Sequence, residues 1–519
     1  MLGDAGEFDM AAPSRREFVR SLSAGFGAAA AGRAAPRPNI LFVCSDQHSF
    51  RYAGYAGHPQ VKTPNLDAIA RRGVTFLNAY TGAPVCVPGR TSMMTGMYPS
   101  DCNSFCNSTV WDGSHPTWGA RLRQAGYLTR AVGKLDLNPD FDTGFEETMT
   151  SHGHRFRPDI TSLFRRPVGY RVDERRGVDG KPRDRRHEDA RRTALALKLL
   201  RRNASGAGRP WALYVGFTEP HPRFVALKKY YEMYPPEKVQ LPEVPAAYLE
   251  RQHLMLQELR RFKRIATPIP EARRRRARAA YYGMVTELDE YIGRLWRALE
   301  DNGQLANTVF VYTSDHGESL GEHGLWYKNN LLEAAVHVPL VIAGPGIPAG
   351  KIVETPVAHV DLVATLLELG GVTDAPGLRG HSLLPLMRGE RGAHPGFAYS
   401  ESHSEGNCTG SFMIRKGDWK YLHFTWYDDL LFNLAEDPGE MRNRIGDPAA
   451  RPVLEELQAI LHGEVAPEEV THRGFRRQAD MLAGLVRRMS RQELVQLFEG
   501  RMGKGQARAL ADLLKHDGS

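Results

Sequence analysis

Three continuous apolar runs in the chain each lead into a group of polar side chains. Residues 39–44 (NILFVC) precede Ser45-Asp46-Gln47-His48, residues 211–217 (WALYVGF) precede Glu219-Pro220-His221, and residues 309–313 (VFVYT) precede Ser314-Asp315-His316-Gly317. An apolar run of this length without alternation is typical of a strand buried on both faces. The pattern therefore predicts buried strands whose carboxyl ends present polar side chains to a common site.

Helical periodicity fills the intervals between these strands. It is found over residues 64–72, 118–125, 189–202, 276–299 and 360–369. Strands that alternate with helices predict an α/β fold, with a large mixed, mainly parallel sheet sandwiched between helices.

The pattern changes from about Gly396. Short segments at 411–415, 419–424 and 429–432, followed by a helical stretch at 453–462, predict a small C-terminal α+β subdomain with an antiparallel sheet. Amphipathic stretches at 479–489 and 492–499 predict a helical extension, which packs either on the core or on another subunit. The expected organisation is a signal segment over 1–36, a catalytic domain over 37–390, a C-terminal subdomain over 391–465 and the extension over 466–519.

Composition and charge narrow the class of protein. The chain has 519 residues, of which 42% are hydrophobic and 25% charged, which excludes a disordered, collagenous or multi-span membrane protein. The 68 basic and 60 acidic residues give a net charge of +8, which is compatible with acidic substrates. We interpret the arginine-rich stretches at 165–186 and 260–278 as a solvated loop and a helix start rather than an anion-binding rim. Because no nucleic-acid-binding module accompanies them, we expect no nucleic-acid partner.

The N-terminus resembles an export signal. Ser14-Arg15-Arg16-Glu17-Phe18 precedes a small, apolar stretch at 22–31 and then Ala34-Ala35-Pro36. Paired arginines, a short apolar region and a small-residue cleavage site predict a twin-arginine signal, the twin-arginine export machinery as a partner, and a periplasmic or extracellular location. The apolar stretch is too short to span a bilayer, so we expect no stable membrane insertion.

The segment Cys86-Val87-Pro88-Gly89-Arg90 carries the most informative chemistry. Pro88 suits the first turn of a helix, which would place Cys86 at the positive helix end, with Arg90 one turn along. Five cysteines are too few, and odd in number, for a disulfide framework, so at least one is unpaired.

This segment, with Thr95-Gly96 after it, resembles the signature of the formylglycine-dependent sulfatases of the alkaline phosphatase superfamily. The resemblance extends in motif order from 38 to 445, through Asp46-Gln47, Thr63-Pro64-Asn65-Leu66-Asp67, Gly133-Lys134, Pro220-His221, Asp315-His316-Gly317, Gly321-Glu322-His323-Gly324-Leu325, Lys328, Leu431-Phe432-Asn433-Leu434 and Asp437-Pro438. It implies an alkaline phosphatase-like fold and hydrolysis of a sulfate monoester, such as a small sulfated sugar or aryl sulfate. It also implies that a formylglycine-generating maturation enzyme oxidises Cys86 to formylglycine.

A metal site is expected where two of the strands end. Asp46 and Asp315 each stand beside a second ligand candidate, Gln47 and His316. Two carboxylates and an amide oxygen suit a hard divalent cation such as Ca²⁺. The resemblance implies this site, with the side chain at position 86 as a further ligand and with Gln47 and His316 as variants of the family's usual pairs. Because His316 offers an imidazole, Mn²⁺ and Zn²⁺ remain open.

The resemblance also implies the roles of the other site residues. A hydrated aldehyde at position 86 carries two hydroxyls, one to attack sulfur, with Asp315 as its base, and one to release sulfate. Arg90 would orient the hydrate, while Lys134, His221 and Lys328 would bind the sulfate oxygens and protonate the leaving alcohol, with the general acid unassigned among them. Asn107 is a candidate for substrate contact.

One position departs from the family pattern. Asp136 stands where the family commonly has histidine, and an acid weakens a sulfate site unless it pairs with Lys134 or receives a cationic or hydroxyl-rich substrate. This keeps a phosphonate monoester or phosphodiester hydrolase open as an alternative. A third hypothesis is an unmodified, inactive relative that binds sulfated glycans through its arginines.

Overall fold

The computed structural model describes residues 37–149, 160–163, 174–185, 188–204, 208–390, 392, 394–403 and 405–516. The predicted twin-arginine segment lies outside these residues. The strands are β1 Asn39–Ser45, β2 Val74–Phe76, β3 Ala79–Tyr80, β4 Leu128–Gly133, β5 Glu147–Met149, β6 Lys181–Arg183, β7 Trp211–Gly216, β8 Val225–Leu227, β9 Thr308–Ser314, β10 His337–Val338, β11 Leu340–Ala343, β12 Lys351–Val353, β13 Val357–Ala358, β14 Phe397–Ser402, β15 Ser411–Lys416, β16 Trp419–Phe424 and β17 Leu430–Asn433.

The helices lie between and after these strands. They are α1 Pro64–Arg71, α2 Cys86–Thr95, α3 Trp118–Gln124, α4 Glu188–Ala204, α5 Lys228–Tyr231, α6 Ala246–Glu250, α7 Leu254–Phe262, α8 Glu271–Asp301, α9 Glu333–Val336, α10 His359–Leu369, α11 Leu384–Arg388, α12 Arg451–Glu464, α13 Pro467–Arg488, α14 Arg491–Met502 and α15 Lys504–His516.

The main sheet has eight strands in the order β12-β2-β11-β9-β1-β7-β4-β5. β9, β1, β7, β4 and β5 are parallel, and β11 runs opposite to both of its neighbours. β2 and β12 are parallel to each other, so β11 alone is reversed within this sheet. The predicted α/β architecture with a mainly parallel sheet is confirmed.

Both faces of the sheet are covered by helices, which explains why the central strands are apolar without alternation. Ile40, Phe42 and Cys44 of β1 face a core layer that includes Met93 of α2 and Leu366 of α10. The alternate residues Leu41 and Val43 face the opposite layer, together with Leu66 of α1, Leu199 of α4 and Leu295 of α8. The two layers enclose the sheet.

The strand register decides where the polar residues meet. Ser45 at the end of β1 is paired with Ser314 at the end of β9, so Asp46 and Asp315 leave the sheet side by side. Gly216 of β7 is paired with both Cys44 of β1 and Gly133 of β4. Lys134 and the loop that contains His221 therefore emerge at the same edge of the sheet.

A four-stranded antiparallel sheet in the order β14-β15-β16-β17 follows the large sheet, and Leu457 and Leu461 of α12 pack in its core. The last three helices form a separate cluster in which Leu494 and Phe498 contact the layer of Cys106 and Leu163. The tail thus packs on the chain's own loops, a choice that the sequence left open. Among the described residues, no helix is both long and apolar enough to cross a membrane.

Candidate active site

Cys86 is the first residue of helix α2, which starts where the extended backbone of Val85 ends. Gly89 allows the helix to lie close to its neighbours, because a Cβ atom there would stand 2.7 Å from the Ala83 carbonyl oxygen and 3.1 Å from that of Asp315. Gly96 ends the helix with a left-handed backbone, and its N–H donates to the Ser92 carbonyl. The motif therefore builds a short buried helix that starts beside Asp315.

The Cys86 thiol lies among charged side chains. Its Sγ is 2.8 Å from Lys328 Nζ, 3.4 Å from His316 Nε2 and 3.9 Å from Asp46 Oδ1. Burial by itself raises the pKa of this thiol, and Asp46 raises it further. The positive charges of Lys134 and Lys328 and a hydrogen bond from His221 outweigh both and hold the pKa well below its usual range. The position favours a negatively charged or strongly polarised side chain.

Arg90 holds the second carboxylate in place. Its Nε donates to Asp315 Oδ2 at 2.8 Å, and its Nη1 donates to the Lys134 carbonyl at 2.8 Å and to the Tyr214 hydroxyl at 2.7 Å. Arg90 is fully buried. Its guanidinium therefore joins the helix to strand β7 and to the ends of β4 and β9, and fixes the orientation of Asp315.

Asp46 is bound by Lys134, whose ammonium donates to Oδ2. Burial raises the pKa of Asp46, but the charges of Lys134, His221 and Lys328 outweigh it and keep the pKa well below its usual range. The pKa of Asp315 is shifted in the opposite direction. Burial raises it most, and the charge of Asp46 raises it further. Two buried carboxylates this close call for a cation between them.

The residues present fit such a cation. Ligand atoms of Asp46, Cys86, Asp315 and His316 all lie within 4.8 Å of one another. Gln47 adds an amide oxygen, Oε1, that is buried and has no hydrogen-bond partner, whereas its Nε2 donates to Glu318. A lone buried oxygen beside two carboxylates is the donor set that Ca²⁺ prefers.

His316 is oriented as a ligand would be. Its Nδ1 lies 3.0 Å from the Gly317 carbonyl, which assigns the proton to Nδ1 and leaves Nε2 with a lone pair. Nε2 is 3.6 Å from Asp315 Oδ1 and 3.8 Å from Asp46 Oδ1. Burial lowers the pKa of His316, but the charge of Asp315 outweighs it and raises the pKa.

Asp136 pairs with the site rather than standing apart from it. Its Oδ2 is 3.1 Å from Lys134 Nζ and 3.8 Å from Arg90 Nε. The sequence left two ways to accommodate an acid here, namely pairing with Lys134 or a cationic or hydroxyl-rich substrate. The structure contains the pairing with Lys134. Lys134 thus lies between Asp46 and Asp136 and keeps one positive charge near Cys86.

The two remaining candidates also lie close to Cys86. His221 contacts the thiol, and its Nδ1 is 2.6 Å from the Pro222 carbonyl, so Nε2 is the ring nitrogen left for a ligand. Asn107 Oδ1 accepts from the Val87 N–H at 3.0 Å, and its Nδ2 donates to Glu405 at 2.6 Å. Asn107 therefore satisfies a donor in the first turn of helix α2. The structure brings every candidate site residue to this one edge of the sheet.

Several supporting residues carried no signal in the sequence. Buried Lys263 donates to the Lys328 carbonyl at 2.8 Å and to Asn329 Oδ1 at 3.0 Å. Glu405 accepts from both Asn107 and Asn329. Each is distant in sequence from its partners, so only the fold pairs them. Glu318, which accepts from Gln47, is the supporting residue nearest to a recognised motif, since it lies three residues after Asp315.

A family model described as Sulfatase matches residues 38–372 of the chain. The chain belongs to the sulfatase family. A second family model, described as N-sulphoglucosamine sulphohydrolase, C-terminal, matches residues 321–466 of this sulfatase. The expected membership of the alkaline phosphatase superfamily is confirmed.

Named relatives and a solved structure agree with the family. This sulfatase is 34% identical over 434 residues to a choline-sulfatase of Rhizobium meliloti, which covers 79% of this chain and 83% of that one. It is 32% identical over 439 residues to arylsulfatase K of Danio rerio, covering 78% and 80% of the two chains. The crystal structure of a phosphonate monoester hydrolase of Agrobacterium radiobacter has a TM-score of 0.69 at 25% identity, with 83% of this chain and 96% of that chain covered.

Proposed function

We propose that this sulfatase, a sulfuric ester hydrolase, acts through a formylglycine formed from Cys86 and a divalent cation, with Ca²⁺ favoured. The observation that carries the proposal is the surroundings of Cys86 Sγ. This atom is 2.8 Å from the Lys328 ammonium and shares a cluster with Asp46, Asp315 and His316. The residues of that cluster would hold the cation, together with Gln47 Oε1.

The formylglycine at position 86 and the divalent cation would supply the nucleophilic and electrophilic chemistry. As its hydrate, formylglycine offers one hydroxyl to attack sulfur and a second to release sulfate, and a divalent cation lowers the pKa of a hydroxyl that it binds. The chain's own residues supply the remainder. Asp315 Oδ2 is held by Arg90 Nε at 2.8 Å and would accept a proton, while the ammonium groups of Lys134 and Lys328 would bind sulfate oxygens as charge develops on them.

Protonation of the leaving alcohol is proposed for His221 or Lys328. Variants can separate the two, because 4-nitrophenol needs little protonation whereas an alkyl alcohol needs much. If His221 is the acid, His221→Ala should slow hydrolysis of an alkyl sulfate far more than that of 4-nitrophenyl sulfate. An equal loss for both esters would assign His221 to sulfate binding instead.

The covalent chemistry is tested at Cys86. After co-expression with a formylglycine-generating enzyme, peptide mass spectrometry should find the aldehyde at position 86, and Cys86→Ala should lower turnover of 4-nitrophenyl sulfate by about 10³-fold or more. Cys102→Ala, which removes another buried thiol, is the control for folding and should retain turnover. An intact thiol in an active enzyme would overturn the proposal.

A phosphonate or phosphodiester activity is the second candidate function. It is favoured by the structural likeness to the phosphonate monoester hydrolase and by Asp136, which reduces the positive charge at Lys134. Matched 4-nitrophenyl esters of sulfate, phenylphosphonate and a phosphodiester decide between them. The primary activity is the ester with the highest kcat/KM, which we expect to be the sulfate.

We further propose that residues 1–36 direct export through the twin-arginine machinery. The support is the pair Arg15-Arg16 followed by a short apolar stretch. Fusion of 1–36 to a reporter should give export that is lost in the Arg15→Lys, Arg16→Lys double variant. Export that survives this change would argue for another route.

A further inference from the structure

We propose that a basic cavity beside the catalytic edge binds a second anionic group of the substrate, so that the preferred substrates are sulfate esters that carry a further sulfate or carboxylate. This inference rests on the proposed sulfatase activity. The cavity has a volume of about 680 Å³. It lies between the loop before β6, the start of β8 and the first turns of helix α8.

The lining of the cavity is strongly positive. Among the described residues that line it, the cations are Arg176, Lys181, Arg223 and Arg276 and the one acid is Asp179, which gives four minus one, or +3. Asp179 is already paired, because Arg276 Nε lies 2.8 Å from its Oδ1. Neither Lys181 nor Arg223 has an ion pair or a side-chain hydrogen bond to another described residue, and both are exposed. Two cations are therefore available to an incoming anion.

The walls of the cavity are held by close contacts. Strands β6 and β8 pair in parallel, with Lys181 opposite Val225. Gly180 packs so tightly on helix α8 that a Cβ atom there would lie 1.8 Å from the Arg276 carbonyl oxygen. The Arg273 guanidinium also donates to the Arg175 carbonyl at 2.8 Å. These contacts fix the positions from which the cations project.

The cavity is adjacent to the sulfate site. Arg223 is two residues after His221, so their Cα atoms are at most about 7 Å apart. On the other side, the Tyr327 hydroxyl donates to the Glu174 carbonyl at 2.9 Å, and Tyr327 directly precedes Lys328. The ring of Tyr327 stacks on Phe224 with a centroid distance of 6.0 Å. Two segments that carry site residues therefore also border the cavity, and we expect a substrate of disaccharide size bound at Cys86 to extend toward it.

This charge selects among substrate classes. A choline-like ester places a cation next to its sulfate and would be repelled by Lys181 and Arg223, whereas a neutral aryl sulfate would be indifferent to them. A substrate with a second sulfate or carboxylate would gain from both. Arg176 and Arg276 belong to the stretches that the sequence pattern predicts to be a solvated loop and a helix start, and both line this one cavity.

The test measures binding separately from turnover. Cys86→Ala protein is titrated calorimetrically with a heparin disaccharide bearing three sulfates and with the same disaccharide bearing one. Lys181→Gln and Arg223→Gln are introduced into this protein singly and together. The control is Arg71→Gln, which removes an exposed arginine of helix α1 that also has no described ion pair. We expect the trisulfated probe to bind about tenfold more tightly than the monosulfated one. Lys181→Gln and Arg223→Gln should each weaken binding of the trisulfated probe a few-fold, with an effect that shrinks as salt rises, whereas Arg71→Gln should not.

The outcomes are distinct. Equal binding of the two probes, or the same small change in Arg223→Gln as in Arg71→Gln, overturns the second anion site even if 4-nitrophenyl sulfate is hydrolysed normally. Conversely, absent hydrolysis by the matured wild-type enzyme contradicts the proposed function without affecting the binding result. In the enzyme that retains Cys86, Lys181→Gln and Arg223→Gln should leave kcat for 4-nitrophenyl sulfate unchanged, because this ester does not extend into the cavity.

Discussion

Glu318 accepts a hydrogen bond from the side-chain nitrogen of Gln47, and this contact fixes which atom of the Gln47 amide remains for a cation. The other atom, Oε1, is buried without a partner. The second oxygen of Glu318 accepts from the backbone N–H groups of Leu320 and Tyr327, at 2.9 and 2.6 Å. Glu318 therefore links the candidate cation site to the loop that carries Lys328.

We predict that Glu318→Gln lowers Ca²⁺ affinity by about tenfold, because a neutral amide no longer enforces the orientation of Gln47. The measurement is calorimetric titration of chelator-treated protein with Ca²⁺. Gln47→Ala, which removes the oxygen itself, should cost at least as much. Unchanged affinity in both variants would exclude Gln47 Oε1 as a ligand.

Gly89→Ala should separate Cys86 from Asp315. The added methyl would meet the Ala83 and Asp315 carbonyl oxygens, which are backbone atoms and cannot turn aside. We expect a loss of about 1–3 kcal/mol in the free energy of unfolding and about 10²-fold in kcat. Gly463→Ala is the matched control, since it lies in helix α12 with nothing within 4 Å of the Cβ position, and it should be neutral or stabilising. Wild-type kcat in Gly89→Ala would show that the helix can shift freely.

Lys263 is predicted to position Lys328. Its ammonium is fully buried and donates to the Lys328 carbonyl and the Asn329 side chain. Lys263→Met keeps the length of the side chain but leaves these acceptors without a donor, which should cost about 2–3 kcal/mol and lower kcat more than it raises KM. Lys229→Met, at an exposed lysine paired with Glu290, should change neither quantity. A change in stability alone would reduce Lys263 to a purely structural role.

Lys420 should dominate the pH dependence of stability in the C-terminal sheet. Its Nζ lies 2.8 Å from both Glu333 and Glu440, and all three side chains are buried. Burial raises the pKa of Glu333, but Lys420 and His337 outweigh it and hold the pKa well below its usual range. The ionised Glu333 therefore stabilises the fold above the ordinary glutamate pKa of about 4.3, and this stabilisation is lost as pH falls below it. Glu440 has the opposite shift, because burial and the charge of Glu333 raise its pKa despite Lys420.

Lys420→Met should cost about 3–5 kcal/mol at pH 7 to 8, because two buried carboxylates lose their cation. Chemical denaturation across pH should show the difference from wild type narrowing toward acid pH, where the variant's carboxylates take up protons. Lys416→Met, at the exposed pair with Glu456, should change stability by less than about 1 kcal/mol. A difference between Lys420→Met and wild type that does not vary with pH would argue that Glu333 and Glu440 are not the source of the effect.

The sequence could locate the strands and the polar groups that follow them, because burial on both faces leaves an apolar run that is readable without the fold. It could not find Tyr214, Lys263 or Glu405, which in the sequence are an ordinary strand tyrosine, a loop lysine and a loop acid. Only the fold places Tyr214 against Arg90, Lys263 against Lys328 and Glu405 against Asn107. These contacts span long distances in the chain and follow no local spacing.

By itself, the amino-acid sequence determined the α/β class, the helix that begins at Cys86 and the family, since these depend on local patterning and on motifs in a fixed order. Tertiary structure alone decided that Ser45 pairs with Ser314, which brings Asp46 and Asp315 together, and that Lys134 satisfies Asp136. It also decided that the last helices cover Cys106 and Leu163. The physical reason is that strand register and side-chain pairing minimise the free energy of the whole molecule, and no local segment contains both partners.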